Sequence, residues 1–322
     1  PPKARGFVNG VLRALARARW SWPAPDTTEG IGVRTSHPDW IVELLVREFG
    51  ISDALATLAL ADEPAPVTLR VNRMRAPAAE VAAELRAAGI DVQPGALVPG
   101  ALVLRHPGDV AALAAVREGR ATPQDQASQA VVGLLDPQPA ERVLDVAAAP
   151  GGKATASAEH MDDRGVVVAA DVHPGRVRTV VRAASRIGLR SVVPVLADGR
   201  HPPVRARAFD RVLLDAPCSG LGVLRRRPDA RWRIQPEHVP ELAALQRAML
   251  AAAAAAVRPG GRLVYAVCTL APEETRLVEP PDGFDVVAGP GPPWRPHGRG
   301  VVLLPSDAGT DGMFVLVMQR AG

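Results

Sequence analysis

The residues best suited to chemistry in this chain are two cysteines and a series of aspartates that follow predicted strands. Cys218 and Cys268 are the only cysteines among the 322 residues. Four successive predicted strands end at or near an aspartate, namely Asp145, Asp171, Asp198 and Asp215. Since the carboxyl ends of parallel strands meet at one edge of a sheet, we expect these six side chains to converge. Taken singly, each aspartate is also compatible with a cap or a turn, and each cysteine with a small core side chain.

A loop of small residues follows the first of these strands and contains Ala147, Ala148, Ala149, Pro150, Gly151, Gly152 and Lys153. Small residues let a ligand approach the backbone where the next helix begins, which is where open α/β folds bind cofactors. The loop lacks the first glycine of a phosphate-binding P-loop and the Ser or Thr after its lysine, and the dinucleotide pattern of three spaced glycines is also missing. A tight strand-to-helix turn without a ligand is the alternative interpretation.

Two further residues support a nucleoside cofactor at this loop. Lys153 is one of only two lysines among 38 basic residues, so a lysine here indicates a chemical requirement. Asp171 lies nineteen residues beyond Gly152, a spacing at which an acidic side chain can accept hydrogen bonds from ribose hydroxyls.

Two thiols beside a nucleoside cofactor are suited to methylation of cytosine at carbon 5. This carbon becomes nucleophilic enough to take a methyl group once a thiolate has added at carbon 6. A second thiol can then act as a base while the proton leaves carbon 5 and the first thiolate departs. Asp215, three residues before Cys218, is placed to stabilise the adduct at ring nitrogen 3 and the exocyclic amine.

From Glu141 onward, predicted strands and helices alternate, which is typical of a doubly wound parallel sheet. The predicted strands are Arg142–Val146, Val166–Asp171, Val192–Leu196, Arg211–Leu214 and Arg262–Val267. Helices are predicted at Pro174–Ile187 and Glu237–Val257, and two late strands, antiparallel to each other, at Phe284–Ala288 and Met313–Met318.

The chain before Glu141 predicts a helical start, a linker and a small α/β module. Apolar residues recur at helical spacing in Ala4–Trp20, and Ser21–Val33 is rich in Pro, Gly, Thr and Asp, which predicts a linker. The next elements are predicted helices at Asp39–Glu48 and Ser52–Ala61, a strand at Val67–Asn72, a helix at Pro77–Ala88 and a strand at Leu97–Arg105. We therefore divide the chain into residues 1–20, a linker at 21–35, a helical and α/β module at 36–121 and a catalytic domain at 122–322.

Composition narrows the classes of protein to consider. A net charge of +4 and a pI near 9.8 indicate a polyanionic partner. Hydrophobic residues make up 47% of the chain, enough for a sizeable core, yet no apolar run approaches the roughly 18 residues of a membrane span. Two cysteines without a Cys/His cluster form neither a disulfide framework nor a zinc site, so we expect no metal and a cytoplasmic protein.

Three groups of residues form one combined pattern. They are the loop 147–153; Asp215-Ala216-Pro217-Cys218-Ser219-Gly220 followed by Arg225–Asp229 and Trp232; and Val267-Cys268-Thr269 with Pro272-Glu273-Glu274. Together they resemble the Sun/Fmu family of S-adenosylmethionine-dependent RNA cytosine-5 methyltransferases. Residues 4–15 are similar to the last helix of that family's NusB-like domain, and Thr122–Ser128 to the segment before its catalytic domain. The resemblance implies a Rossmann-like class I methyltransferase fold, with a seven-stranded, mostly parallel sheet and a small RNA-binding module.

The resemblance also implies a role for each site residue. Cys268 falls on the family's nucleophile, and Cys218 on the cysteine that assists product release. S-adenosylmethionine is the implied cofactor, and its implied contacts are residues 147–153, Asp171, Arg176, Asp198 and Asp215. Lys153 would meet the methionine part of the cofactor or the target base. The family usually has Cys and Thr where this chain has Ala147 and Val267.

The implied partner is RNA, most directly small-subunit ribosomal RNA, with the target cytosine unpaired or flipped out of its helix. Contacts to RNA are predicted from the basic run of Arg225, Arg226, Arg227, Arg231 and Trp232, for which a solvated basic face is the alternative. We expect a monomer that does not bind membranes. Two other functions remain open, methylation of transfer RNA and a weakly active RNA-binding factor for ribosome assembly. A nucleotide hydrolase is disfavoured because the P-loop pattern is incomplete.

Overall fold

Two sheets organise the protein, a small antiparallel one and a large, mostly parallel one. The computed structural model describes residues 2–18 and 23–322. The helices are α1 (Pro2–Arg17), α2 (Thr28–Thr35), α3 (Asp39–Leu60), α4 (Ala78–Ala87), α5 (Ala114–Arg117), α6 (Gln126–Leu135), α7 (Gly152–His160), α8 (Pro174–Ile187), α9 (Ala230–Arg233), α10 (His238–Ala256) and α11 (Pro305–Ala308). The strands are β1 (Val67–Val71), β2 (Asp91–Pro94), β3 (Leu102–Arg105), β4 (Ala121–Pro123), β5 (Arg142–Asp145), β6 (Val166–Asp171), β7 (Val192–Leu196), β8 (Phe209–Asp215), β9 (Val257–Val267), β10 (Phe284–Val286), β11 (Arg295–His297), β12 (Gly300–Leu303) and β13 (Met313–Arg320).

The small sheet has the strand order β2-β3-β1-β4 and packs on α4 and α5. Leu69 of β1 points into the core of this module, whereas its neighbour Arg70 is buried on the other side, against the large domain. The predicted strand Leu97–Arg105 was too long, because the chain turns at Gly100, where φ is +80°, before β3 begins. Strand β2 was not predicted, since it is short and ends in a proline.

The large sheet contains nine strands in the described chain, with β5 to β9 parallel and β13 antiparallel to β9. This confirms the predicted α/β fold class. The sheet exceeds the seven strands expected because it includes the hairpin β11–β12. Strand β10, at the predicted Phe284–Ala288, pairs antiparallel with β13 as expected. Pro296 and the polar residues around it gave the hairpin no recognisable strand pattern.

Both faces of the large sheet are covered, which explains why its strands are almost continuously apolar. Leu144 and Tyr265 point toward α3 and α10, and Val143 and Leu213 toward α6 and α7; all four side chains are fully buried. This double packing holds the carboxyl ends of β5, β6, β8 and β9 at one rigid edge.

The segment predicted as a linker is partly helical. Helix α2 begins after Thr27, whose hydroxyl accepts a hydrogen bond from the Gly30 N–H, and it buries Ile31. The predicted helices on either side of Gly50 are confirmed as two straight parts of α3, separated by a break at that glycine (φ 80°, ψ 163°). Helix α1 extends to Arg17 and leaves Phe7 and Leu12 exposed; the predicted residues 19–22 lie outside the described chain.

Candidate active site

The loop between β5 and α7 reaches across the sheet edge to β8. The Lys153 ammonium, in the first turn of α7, donates to Asp215 Oδ2 at 2.7 Å and lies 3.4 Å from the Ser128 hydroxyl. Gly151 has φ +108°, and a Cβ there would lie 3.1 Å from the backbone of Val180. Only glycine therefore fits this turn, which brings the lysine onto the last residue of β8.

Asp145, at the end of β5, is the most unusual acid in the site. It is 1% exposed, and neither carboxylate oxygen has a well-formed hydrogen bond in the described chain; the Ala147 N–H is the one backbone donor that acts on it, and it lowers the pKa only in part. Burial, together with the neighbouring charge of Asp215, raises the pKa of Asp145 to about 7. A buried acceptor without a well-formed hydrogen bond is the expected arrangement where a ligand supplies the donor.

Asp171, at the end of β6, is also buried but has protein partners. Its Oδ1 accepts from the His173 N–H at 3.0 Å, and Oδ2 lies 3.5 Å from Arg176 Nε. Arg176 also donates to the Ala149 carbonyl at 3.2 Å. The structure thus joins three predicted cofactor-binding residues through one guanidinium group.

Asp198 is engaged differently from the other three acids. Both of its carboxylate oxygens accept hydrogen bonds from the Arg200 guanidinium, at 2.6 to 3.0 Å. These hydrogen bonds hold the pKa of Asp198 at about 2. Its predicted contact with the cofactor stays a prediction.

The two thiols meet at the same edge. Cys218 lies in the loop after β8 and Cys268 directly follows β9, and their Sγ atoms are 3.4 Å apart. The hydrogen bond to Cys268, and then burial, raise the pKa of the Cys218 thiol well above its ordinary value. Burial opposes the charge on Lys153, but the negative charges of Asp215 and a Cys268 thiolate outweigh it and raise the pKa of the lysine. Lys153 therefore stays cationic.

One residue of the small sheet, Arg70, contacts the cofactor loop and was not predicted. Arg70 Nη1 donates to the Gly152 carbonyl at 2.7 Å and Nη2 to Thr155 Oγ1 at 3.0 Å. Its guanidinium also forms a buried ion pair with Glu159, with contacts of 2.9 and 3.0 Å. The only sequence signal was a charged residue in the middle of an apolar strand.

The predicted RNA contacts divide into arginines that bond within the protein and side chains that are exposed. Arg231 is 2% exposed, and its guanidinium donates to Asp62 and to the carbonyls of Ser36 and Ala61. The prediction for Arg231 is therefore wrong, because all of these acceptors belong to the protein and leave no surface for RNA.

Two other arginines of the run are also engaged within the protein. Arg226 bonds to Asp125 and Asp311 at 2.8 to 2.9 Å, and Arg225 donates to the Glu63 carbonyl. By contrast, Arg227 is exposed and Trp232 is 58% exposed. Arg227 and Trp232 are thus exposed members of this run without the protein partners described for the others, and their contact with RNA stays a prediction.

Metal-binding clusters and membrane-spanning helices are both absent from the described residues. They contain no group of three or more His, Cys, Asp or Glu side chains arranged to hold a metal ion. None of the helices in residues 2–18 and 23–322 is long and apolar enough to cross a membrane.

Comparison with solved structures shows other proteins with the same overall fold. The crystal structure of PH0851 superposes on this chain with a TM-score of 0.88 at 30% sequence identity. The superposition covers 96% of this chain and 71% of the PH0851 chain. NSun6 from Pyrococcus horikoshii, solved with SFG, superposes with a TM-score of 0.79 at 22% identity over 88% of this chain and 98% of its own, and supports the fold alone.

Comparison of sequences identifies the family. Residues 132–279 match the family described as 16S rRNA methyltransferase RsmB/F, and residues 37–111 match its ferredoxin-like domain. The chain is 36% identical to the probable ribosomal RNA small subunit methyltransferase B of Bacillus subtilis, over 98% of this chain and 74% of that protein. It is also 36% identical to ribosomal RNA small subunit methyltransferase B of Vibrio cholerae, over 99% of this chain and 73% of that protein. The family uses S-adenosylmethionine, which confirms the predicted cofactor. With its fold, its two matched domains and these relatives in agreement, the chain belongs to the RsmB/F family of small-subunit rRNA methyltransferases.

Proposed function

We propose that this methyltransferase acts on carbon 5 of a cytosine in small-subunit ribosomal RNA, through a covalent adduct between Cys268 and the base. The observation that carries the proposal is the 3.4 Å separation of two thiols at the cofactor edge. One thiolate suffices to attack carbon 6, so a second thiol in direct contact supports a separate role in release.

The residues at the edge fit S-adenosylmethionine, which supplies an electrophilic methyl group on a sulfonium ion. The unpartnered oxygens of Asp145 are acceptors for a cationic or amino donor, and Asp171 is an acceptor for ribose hydroxyls. The side chains of Ala148 and Ala149 are small, which would let a ligand approach the loop backbone closely. Asp145 thereby joins the set of proposed cofactor contacts, although sequence reasoning placed it only in the row of strand-end acids.

The proposed reaction begins with Cys268. Its thiolate forms a bond to carbon 6 of the cytosine, and the electron pair displaced from the 5,6 double bond makes carbon 5 nucleophilic. Asp215 accepts a hydrogen bond from the exocyclic amine in the same step. Carbon 5 then takes the methyl group, and its remaining proton must leave as the bond between sulfur and carbon 6 breaks.

The contact between the thiols supports Cys218 as the base for that proton. The hydrogen bond to Cys268 is the main reason that the pKa of Cys218 is raised, and the negative charge of a Cys268 thiolate is a further reason. Both causes disappear once Cys268 is a thioether bonded to the base. The pKa of Cys218 then falls, although burial and the charges of Glu274 and Asp215 still raise it, so its thiolate form becomes more accessible at the stage that requires a base.

The experiment that tests the proposal follows the adduct on a denaturing protein gel. A Cys218→Ala variant incubated with S-adenosylmethionine and unmodified small-subunit ribosomal RNA should give a slowly migrating protein–RNA band. The band should disappear in the Cys218→Ala/Cys268→Ala double variant. Absence of a band with ribosomal RNA while RNA binding is intact would refute the covalent mechanism for this substrate, and a band only with transfer RNA would reassign the substrate.

A further inference from the structure

A buried hydrogen-bond network lies directly behind the two thiol loops and is centred on Glu274. This side chain, in the 3₁₀ turn Pro272–Glu274, is fully buried. Glu274 Oε1 accepts from the Ser219 N–H at 2.9 Å and from Gln246 Nε2 at 2.8 Å, and Oε2 accepts from the Ser219 hydroxyl. Both carboxylate oxygens therefore have donors within the protein.

The network holds the backbone on both sides of Cys218. On one side, Glu274 takes the N–H of Ser219. On the other, the Gln246 amide that donates to Glu274 also donates to the Pro217 carbonyl at 2.8 Å. Gln246 is itself fixed by the Tyr265 hydroxyl, 2.9 Å from its Oε1. A single carboxylate thus determines where the Cys218 thiol can lie.

The same network reaches the loop that carries Cys268. The Ser219 hydroxyl lies 2.6 Å from the Thr269 hydroxyl, which in turn accepts from the Ala271 N–H at 3.3 Å. Glu274 reaches the Cys268 loop through the hydroxyl of Thr269, a side-chain contact, whereas it holds the backbone next to Cys218 directly. Loss of the carboxylate should therefore displace Cys218 more than Cys268.

We infer that Glu274 is a positioning residue for product release, since its hydrogen bonds on both sides of Cys218 keep that thiol in contact with Cys268. This inference rests on the proposed covalent mechanism. A buried, completely paired carboxylate touches neither cofactor edge nor solvent, so its effect on the reaction is transmitted through the Pro217–Ser219 backbone.

The inference predicts a specific kinetic fault in Glu274→Ala. Attack by Cys268 should continue while release slows, so the variant should accumulate at least tenfold more protein–RNA adduct than the unmodified protein, approaching Cys218→Ala. Glu274→Gln should restore release, because its carbonyl can accept from Ser219 N–H and Gln246 while its amide donates to the Ser219 hydroxyl. The matched control is Glu273→Ala, which removes the adjacent, exposed glutamate and should behave as the unmodified protein.

A second measurement needs no RNA. Diamide converts two neighbouring thiols to a disulfide and is itself reduced to the hydrazine, so its rate measures how close Cys218 and Cys268 lie. Loss of titratable thiols should be about tenfold slower in Glu274→Ala than in the unmodified protein and in Glu274→Gln. If Cys218→Ala gives no adduct, the proposed mechanism has failed, and with it the role of Glu274 in release; the diamide rates then still decide whether Glu274 sets the thiol geometry.

Three results would overturn the inference. They are full turnover without adduct in a folded Glu274→Ala, a loss of turnover without adduct, and an adduct that Glu274→Gln does not relieve. If Glu274→Ala does not fold, Ser219→Ala replaces it, because this change removes the hydroxyl link to Glu274 and Thr269 while the backbone N–H remains. A smaller accumulation of adduct is expected there, and its absence would count against the inference.

Discussion

Two buried carboxylates in this protein, Asp145 and Glu274, have opposite hydrogen-bond environments. Asp145 at the cofactor edge has no well-formed hydrogen bond to either oxygen, whereas Glu274 behind the thiols has donors on both. Burial raises the pKa of each. An unpaired buried acceptor destabilises the protein by itself and is expected where a ligand completes it, while a paired one maintains local geometry. Within this pair, the completeness of hydrogen bonding separates the proposed ligand-binding group from the proposed positioning group.

The largest expected effect is the decrease in the free energy of unfolding that ionisation of Asp145 causes as the pH rises. The pKa of Asp145 is about 7 in the folded protein against 3.8 in a free side chain. The folded state therefore holds this proton more tightly, so the free energy of unfolding falls as pH rises from about 4 to about 7 and is level above that. The total fall from this group is at most about 4 kcal/mol.

Asp145→Asn should remove that fall. Without cofactor, the difference in the free energy of unfolding between the variant and the parent protein should shift in favour of the variant as the pH rises from 5 to 8. Urea unfolding at both pH values measures this difference. Asp198→Asn is the control, since Arg200 already pairs with that carboxylate and lowers its pKa. A pH-independent difference for Asp145→Asn would show that its oxygens are partnered after all, and the contrast with Glu274 would fail.

The second prediction extends the comparison to the basic run. Arg231 is buried, and both terminal nitrogens of its guanidinium have acceptors, although its Nε has none in the described chain, so it resembles Glu274 in being largely paired. Arg231→Ala should lower the free energy of unfolding by about 2–3 kcal/mol, because four acceptors lose their donor and packing is lost. Urea denaturation measures this loss. Arg227→Ala, at an exposed position, should change stability by less than about 0.5 kcal/mol, and equal losses in both would contradict the distinction.

The smallest effect is expected at the exposed end of the same run. Trp232 is available to stack on a base, so Trp232→Ala should weaken RNA binding by about 1–2 kcal/mol and leave the unfolding curve unchanged. A filter-binding titration at fixed ionic strength measures the affinity. An unchanged affinity would show that the exposed indole belongs to a solvated face.

The sequence was most informative where local pattern and burial coincide. Strands buried on both faces were recognised by their apolar runs, and β6, β7 and α8 have the predicted bounds. The acids and thiols were placed because a parallel sheet brings the ends of neighbouring strands together. Asp145 was recognised as one of these acids, but nothing in its local sequence showed that its oxygens would lack partners.

Residues whose importance depends on distant partners were missed or misassigned. Arg70 and Glu159 are 89 positions apart, and Glu274 meets Ser219 across 55. Arg231 was assigned to RNA because its neighbours are basic, yet its acceptors come from α3 and the chain around Ser36. A charge run does not reveal which of its members face inward. Such contacts depend on the tertiary fold rather than on periodicity or composition.

The scarcity of lysine turns the Lys153–Asp215 pair into a natural reporter for chemical labelling. The only other lysine is Lys3, so an amine-specific acylating reagent has few competing ε-amino groups. Lys153 is 12% exposed and held as an ammonium by Asp215, and both features slow acylation. Any ligand that draws Asp215 away should accelerate the reaction, and one that covers the loop should stop it. A single modified peptide would then record the occupancy of the pocket without a radioactive methyl donor.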